Sequence, residues 1–295
     1  MPEGRRPADS VLLRGAAAVF GVLGLLGSAL ADGQLLATGG VSTIEGSAGG
    51  GVVPWAVLAG YGTSDEWGGS AFASTLNTGD YRLDVAGGAL TFNNRLELSL
   101  ARQSLRLSTL GPALGLGAIR LEQDVVGAKL RLYGDLIYGD WPQLALGVQH
   151  KRHRDFAIPS AVGARSSSDT ELYLSATRLF LAGAGGYNLL VNGGIRYTRA
   201  NQAGLLGFGG DQGGSRRAQA ELSAAVLLNR HWAVGADYRQ QPDLLGFAKA
   251  EDWRDLFVAW FPNRRVSGVL AYVDLGDVAT LKNQRGWYFS VVANW

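Results

Sequence analysis

No cysteine occurs anywhere in the sequence, which excludes disulfides and thiolate metal sites. The same absence suits a chain that crosses an oxidising compartment without mispairing. Histidine occurs only three times, as His150, His153 and His231, so imidazole chemistry has few places to reside. Past the N-terminal region there is no run of 18 or more apolar residues, and no transmembrane helix is available there. Charge of neither sign dominates. Lys and Arg number 27, Asp and Glu 25, and the formal net charge is +2. That balance offers neither a nucleic-acid footprint nor an acidic tail. Charged residues are only 18% of the 295, and no helical period persists over any long window.

What is present is glycine, at 43 residues, and short segments of alternating hydrophobicity. Residues 1–31 read as a secretory signal. Arg5, Arg6 and Arg14 supply positive charge, Gly15 to Leu26 a short apolar region, and Ala29-Leu30-Ala31 a small-residue exit. Cleavage between Ala31 and Asp32 is expected, leaving residues 32–295 as one mature domain; a retained membrane anchor is the alternative. Strands are predicted at about 34–43, 52–61, 67–77, 80–91, 94–104, 122–134, 142–153, 170–181, 187–200, 216–228, 231–241, 252–262, 265–274 and 286–295, from period-two patterning and turn residues. In the last of these, Trp287, Phe289, Val291, Ala293 and Trp295 form one apolar row with an aromatic at each end. Aromatic ends on an apolar row suit a strand that crosses a bilayer between two headgroup levels. A closing strand with a terminal aromatic resembles those of bacterial outer-membrane barrels, and implies the barrel assembly machinery as a partner in biogenesis.

The connections alternate between short and long, the pattern of an outer-membrane barrel with short periplasmic turns and long outer loops. The expected fold is therefore all-β, a transmembrane antiparallel up-and-down barrel. Parity gives about 14 strands if Gln34–Thr43 crosses the membrane. It gives about 12 if that segment is a periplasmic extension or a plug.

Alternation predicts a polar lumen. Its cationic lining is expected from Arg82, Arg95, Lys129, Arg131, Lys151, Arg196 and Arg239, and its anionic lining from Asp84, Glu97, Glu171, Glu221, Asp237 and Asp255. The signs nearly balance. Interior ion pairs that stiffen the wall are one reading and solute-recognition sites the other. Since a strongly selective pore shows one dominant sign, weak selectivity or a partly filled lumen follows. Trp232, Trp287 and Trp295 are expected to anchor at the membrane interfaces, in girdles that also draw on Trp55, Tyr61, Trp67, Tyr81, Tyr133, Tyr138, Trp141, Trp253, Trp260 and Tyr272. Two outer loops share an L-L-G-F core, Gly204–Asp211 and Leu244–Phe247, which fits an inward constriction, a mutual cap, or packing against the rim.

Enzyme readings are weak, and no catalytic, cofactor-binding or metal residues are assigned. His150 and His153 lie among basic residues that suit the lipopolysaccharide level. The alternative is an outer-leaflet lipid hydrolase built on one of them.

Several stretches resemble a known family: Gly39 to Gly46, Pro54 to Val57, Asp80 to Leu83, Glu97 to Gln103, Gln123 to Gly127, Gly204 to Asp211, Lys249 to Trp260 and Gln284 to Ser290. Together they resemble the domain-of-unknown-function 3034 family of proteobacterial secreted proteins. The resemblance implies a Gram-negative outer-membrane location and brings no substrate and no catalytic residues. The expected function is a passive or weakly selective route for an unidentified small solute, with outer-membrane lipid and lipopolysaccharide around it. A closed barrel acting through its outer loops is the alternative.

Overall fold

The computed structural model of the protein describes Leu36 and residues 39–113, 115 and 117–295. The expected cleavage site, Ala31 and Asp32, lies outside the described residues. Twelve antiparallel strands form one closed barrel. They follow a two-strand hairpin of β1 (Val41–Ser42) and β2 (Ala48–Gly49). The barrel strands are β3 (Trp67–Asn77), β4 (Tyr81–Phe92), β5 (Leu96–Leu107), β6 (Arg120–Tyr133), β7 (Gln143–His153) and β8 (Ser168–Ala184), then β9 (Tyr187–Thr198), β10 (Arg217–Leu227), β11 (Trp232–Arg239), β12 (Trp253–Trp260), β13 (Val266–Asp274) and β14 (Arg285–Asn294). Each pairs with its sequence neighbour, and β14 pairs with β3 to close the sheet. At that seam Ser74 Oγ donates to Ser290 Oγ at 2.8 Å.

The strand count is thus twelve, the lower of the two alternatives, and the expectation of fourteen is corrected. Of the segment expected at 34–43, the described residues 39–43 do not join the wall, and neither does the stretch 52–61. From residue 39 to residue 61 the described chain runs through the lumen and is buried almost throughout. Both ends of this segment lie toward the short-turn end: a Cβ at Gly39 would stand 2.8 Å from the Gly60 carbonyl, and beyond residue 61 the chain leads into the start of β3. A stretch of Gly, Val and Ala inside a barrel meets walls on all sides. It therefore shows the same mixed alternation as a strand that meets lipid on one side.

The outward rows are apolar. Leu96, Leu98 and Leu100 on β5, Leu172 and Leu174 on β8, and Phe289 and Val291 on β14 are exposed side chains. Such a continuous apolar belt has no counterpart on a water-soluble monomer, and it suits hydrocarbon, where only a closed sheet satisfies the backbone. Among the described residues no helix is long and apolar enough to cross a membrane. Trp232 and Trp287 face outward, Trp232 stacked on Trp260 at 6.0 Å and Trp287 edge-on to Tyr272 at 5.2 Å. Trp295 lies on the same row as Trp287 and exchanges two backbone hydrogen bonds with Gly69. Eight residues separate the two tryptophans. At about 3.3 Å per residue that is about 26 Å along the strand, close to the roughly 25 Å apolar band of such barrels.

The girdle expectation fails for Trp55, Tyr61, Tyr81 and Trp253, which are buried inside. Their polar atoms explain the placement. Trp55 Nε1 donates to Ser223 Oγ at 2.9 Å, Trp253 Nε1 to Gln202 Oε1 at 3.0 Å, and Tyr81 OH to the Val278 carbonyl at 3.0 Å.

Candidate functional site

The lumen is filled from both ends. From the short-turn end comes the plug, residues 39–61, which the wall holds mainly by its backbone. Glu97 accepts from Ala48 N at 3.3 Å and from Ala59 N at 2.8 Å, through different carboxylate oxygens. Lys129 Nζ donates to the carbonyls of Ala48 (3.0 Å) and Trp55 (3.2 Å) and sits 3.2 Å from Glu97. Thr177, Gln143, Gln103 and Ser175 add further bonds to Ala56, Ile44 and Pro54. Asp237 accepts from the Val52 and Val53 amides. The plug must have no side chain at Gly50, where a Cβ would stand 2.6 Å from Asp237 Oδ1.

From the other end comes a lid. Residues Asn201–Gly204 form a short 3-10 turn inside the barrel mouth, with Gln202 and Ala203 at positive φ. Wall side chains hold it: Gln123 Nε2 and Lys151 Nζ donate to the Ala203 carbonyl at 3.3 and 3.1 Å. The two L-L-G-F loops bury Leu205, Leu206, Phe208, Leu244 and Leu245. They also bond each other, Gln212 N to the Leu244 carbonyl at 3.1 Å and Gly246 N to Asp211 Oδ1 at 2.8 Å. These loops both enter the lumen and cap it. The spaces left between plug, lid and wall include ones of about 40 and 20 Å³, room for waters and not for a solute.

Between plug and lid lies a ring of buried charge that alternates in sign on successive strands: Lys151 on β7, Glu171 on β8, Arg196 on β9, Glu221 on β10 and Arg239 on β11. Arg196 binds Glu221 Oε1 at 2.6 Å, Glu171 Oε2 at 3.0 Å and Gln149 Oε1 at 2.7 Å. Lys151 meets Glu171 at 2.9 Å and Arg239 meets Glu221 at 3.3 Å. Three cations against two carboxylates leave one positive charge, and the plug supplies its partner. Glu45 Oε1 accepts from Lys151 Nζ at 2.6 Å and from Arg239 NH2 at 2.8 Å, and its Oε2 lies 3.3 Å from Arg196 NH2. Sequence reasoning missed Glu45. The signal was there, since Glu45 is the single charged residue between Asp32 and Asp65.

Of the expected lumen residues, Glu97, Lys129, Lys151, Glu171, Arg196, Glu221, Asp237, Arg239 and Asp255 are buried inside the barrel. Arg131 is half-buried at the short-turn end, bonded to the Gly134 carbonyl at 2.9 Å. Three assignments are corrected. Arg82 and Asp84 lie on the outer surface and pair with each other at 3.0 Å, because the inward row of β4 is the apolar one of Tyr81, Leu83, Val85 and Ala89. Arg95 sits in the turn 93–95, outside the wall. The buried charges of the wall accordingly lie on β5–β12. Leu76, Leu83, Leu105, Val273 and Tyr288, from β3–β5 and β13–β14, make an apolar interior face opposite the charges.

Asp237 and Asp255 stand directly opposite in register on β11 and β12. Each keeps one buried oxygen without a partner. His153 points inward, its Nε2 donating to the Gly204 carbonyl at 2.5 Å, and so leaves the basic outer cluster expected for it. His150 faces out beside Thr170 Oγ1 at 2.9 Å. Neither histidine is paired with a serine among the described residues. No group of three or more metal-ligating side chains occurs among them either.

The family model for proteins of unknown function DUF3034 matches residues 38–292. No curated protein sequence matches. Among solved structures the barrel resembles the KdgM porin (8% identity, TM-score 0.45, covering 77% of this chain and 98% of that one). It also resembles Omp33 of Acinetobacter baumannii (8%, 0.41, 78% and 97%) and outer membrane phospholipase A of Escherichia coli (10%, 0.37, 79% and 96%). Nothing functional follows from likeness at that level. The family match spans most of the sequence and both the plug and the barrel, and the chain belongs to the DUF3034 family.

Proposed function

We propose that this protein is an outer-membrane channel that is closed at rest, with residues 39–61 as a displaceable plug and small solutes crossing only when the plug shifts. The short turns then face the periplasm, and the lid faces outward. The observation that supports this reading is the way the plug is held. It is attached by side-chain bonds to a wall that keeps ten buried Asp, Glu, Lys and Arg side chains of its own. With plug and lid displaced, that wall lines a passage with charged side chains on β5–β12. A barrel filled only for rigidity has no need of such groups, since a buried ion pair is no more stabilising than well-packed apolar side chains.

The absence of native cysteine gives a clean test. Ala56 N bonds Thr177 Oγ1 at 2.7 Å, so the pair Ala56→Cys and Thr177→Cys tethers plug to wall. In planar bilayers the refolded mature chain is expected to show discrete openings. The oxidised double variant is expected to be silent and to recover on reduction. Folding is checked independently by heat-modifiable gel migration. Folded protein that never conducts, tethered or reduced, refutes the channel and favours the second reading, a permanently closed barrel acting through its outer loops. The mutual bonding of the two L-L-G-F loops supports that alternative.

The outward-facing Arg102 and Arg154, which share Asp124 at 2.8 and 3.0 Å, lie toward the long-loop end. In this reading they meet the anionic groups of lipopolysaccharide.

A further inference from the structure

We propose that Lys151, Arg196 and Arg239 form a carboxylate-binding site in the lumen, which Glu45 of the plug occupies as an internal ligand. The inference rests on the plug being displaceable, and names the solutes the channel takes: small monocarboxylates with an apolar substituent.

Glu45 Oε1 is gripped at 2.6 and 2.8 Å, and its Oε2 lies 3.3 Å from Arg196 NH2. The gripping groups are held in place without Glu45. Glu221 and Gln149 fix Arg196, Glu221 fixes Arg239, and Glu171 fixes Lys151. Tyr173 lies under the Arg196 guanidinium at 4.9 Å, and Trp253 lies 5.9 Å from that of Arg239. A planar guanidinium so oriented suits a carboxylate more closely than a diffuse anion.

Charge sets the valence of the ligand. The five ring groups alone carry one uncompensated positive charge, and in a buried site that charge demands a monoanion. Glu45 meets the demand imperfectly, since its Oε2 makes no hydrogen bond of good geometry. A free carboxylate, with no backbone to constrain it, can therefore compete. Beside the site, Ile44, Val52, Leu105, Leu206 and Trp253 line the space of about 40 Å³. Withdrawal of the plug takes Ile44 and Val52 with it and enlarges that space. An apolar substituent on the carboxylate would enter there.

The test uses the mature chain carrying Glu45→Ala in detergent micelles, with benzoate and acetate as probes. Benzamide, acetamide and chloride at equal ionic strength are the controls. The variant is expected to melt below the parent, and benzoate to raise its melting temperature with the logarithm of concentration, as mass action requires. Benzamide and chloride are expected to leave it unmoved, and adding Arg239→Gln to abolish the response. If Glu45→Ala does not fold, Glu45→Gln serves, with the side-chain shape kept and the charge removed. Equal shifts from benzoate and benzamide, or none, overturn the site. Bilayer recordings separate this from the channel reading. Benzoate that stabilises the variant while no form conducts upholds the site and refutes the channel. Openings indifferent to carboxylates, with no thermal shift, uphold the channel and refute the site.

Discussion

Asp255 shows how far alternation alone can reach. The period of two placed it on the inward row, and it is there, but it did not reveal the partner. Asp237 stands across from it, with no cation among the described residues bridging the two and one oxygen of each left bare. Two carboxylates directly opposite on neighbouring strands destabilise each other. Asp255→Asn removes the repulsion and offers an amide to the bare oxygen of Asp237. It is expected to raise the midpoint of heat-modifiable migration, and a lowered midpoint would show that the second carboxylate is needed. Arg82 and Asp84 mark the limit of the same reasoning. Both rows of β4 carry plausible faces, and the rule of polar residues inward chose the wrong one. The interior beside β4 is packed against plug and lid residues, so its inward row is apolar, a fact about distant segments that no local pattern contains.

At the scale of elements, the twelve wall strands were legible because each has lipid on one side and a filled interior on the other. The strand predicted at 67–77 coincides with β3. The plug was not legible. An extended segment wrapped by a barrel alternates much as a crossing strand does, and parity then counted it as two crossings. Its distinguishing mark is density of glycine around a lone acid, which is a property of close approach and not of strand pairing. The outer turns offer a pH test. Asp80 accepts from Thr109 Oγ1 at 2.6 Å and from Gln284 Nε2 at 2.8 Å, tying three outer connections together. These bonds, Thr109 first, hold the Asp80 carboxyl below its ordinary value of 3.8. A depressed folded value means the tie is fully present above the ordinary value and fades as pH falls through the folded one. Amide exchange in the loop 108–119 is therefore expected to show unchanged protection between pH 7 and pH 5, and loss of protection under stronger acid. Asp80→Asn should show the reduced protection already at pH 7.

For the whole molecule, the ring of alternating charge bears on how the barrel is assembled. Glu45 touches β7, β9 and β11 at once, and the two glutamates between them complete the circuit. A slip of one residue in any of these strands turns a buried Lys or Arg outward into hydrocarbon, since a register shift flips every side chain to the other face. The hairpin that precedes the wall in sequence thus doubles as a gauge around which five strands are set. Closure joins Ser74 to Ser290 across most of the chain, and such distant pairing is slow to form. Glu45→Ala is accordingly expected to lengthen the refolding time from urea into lipid vesicles beyond what its lower stability explains. Addition of benzoate should shorten it again, which is read as the growth of the heat-modifiable band with time. By this logic an inner segment that closes the finished pore is also the template on which the pore is cast.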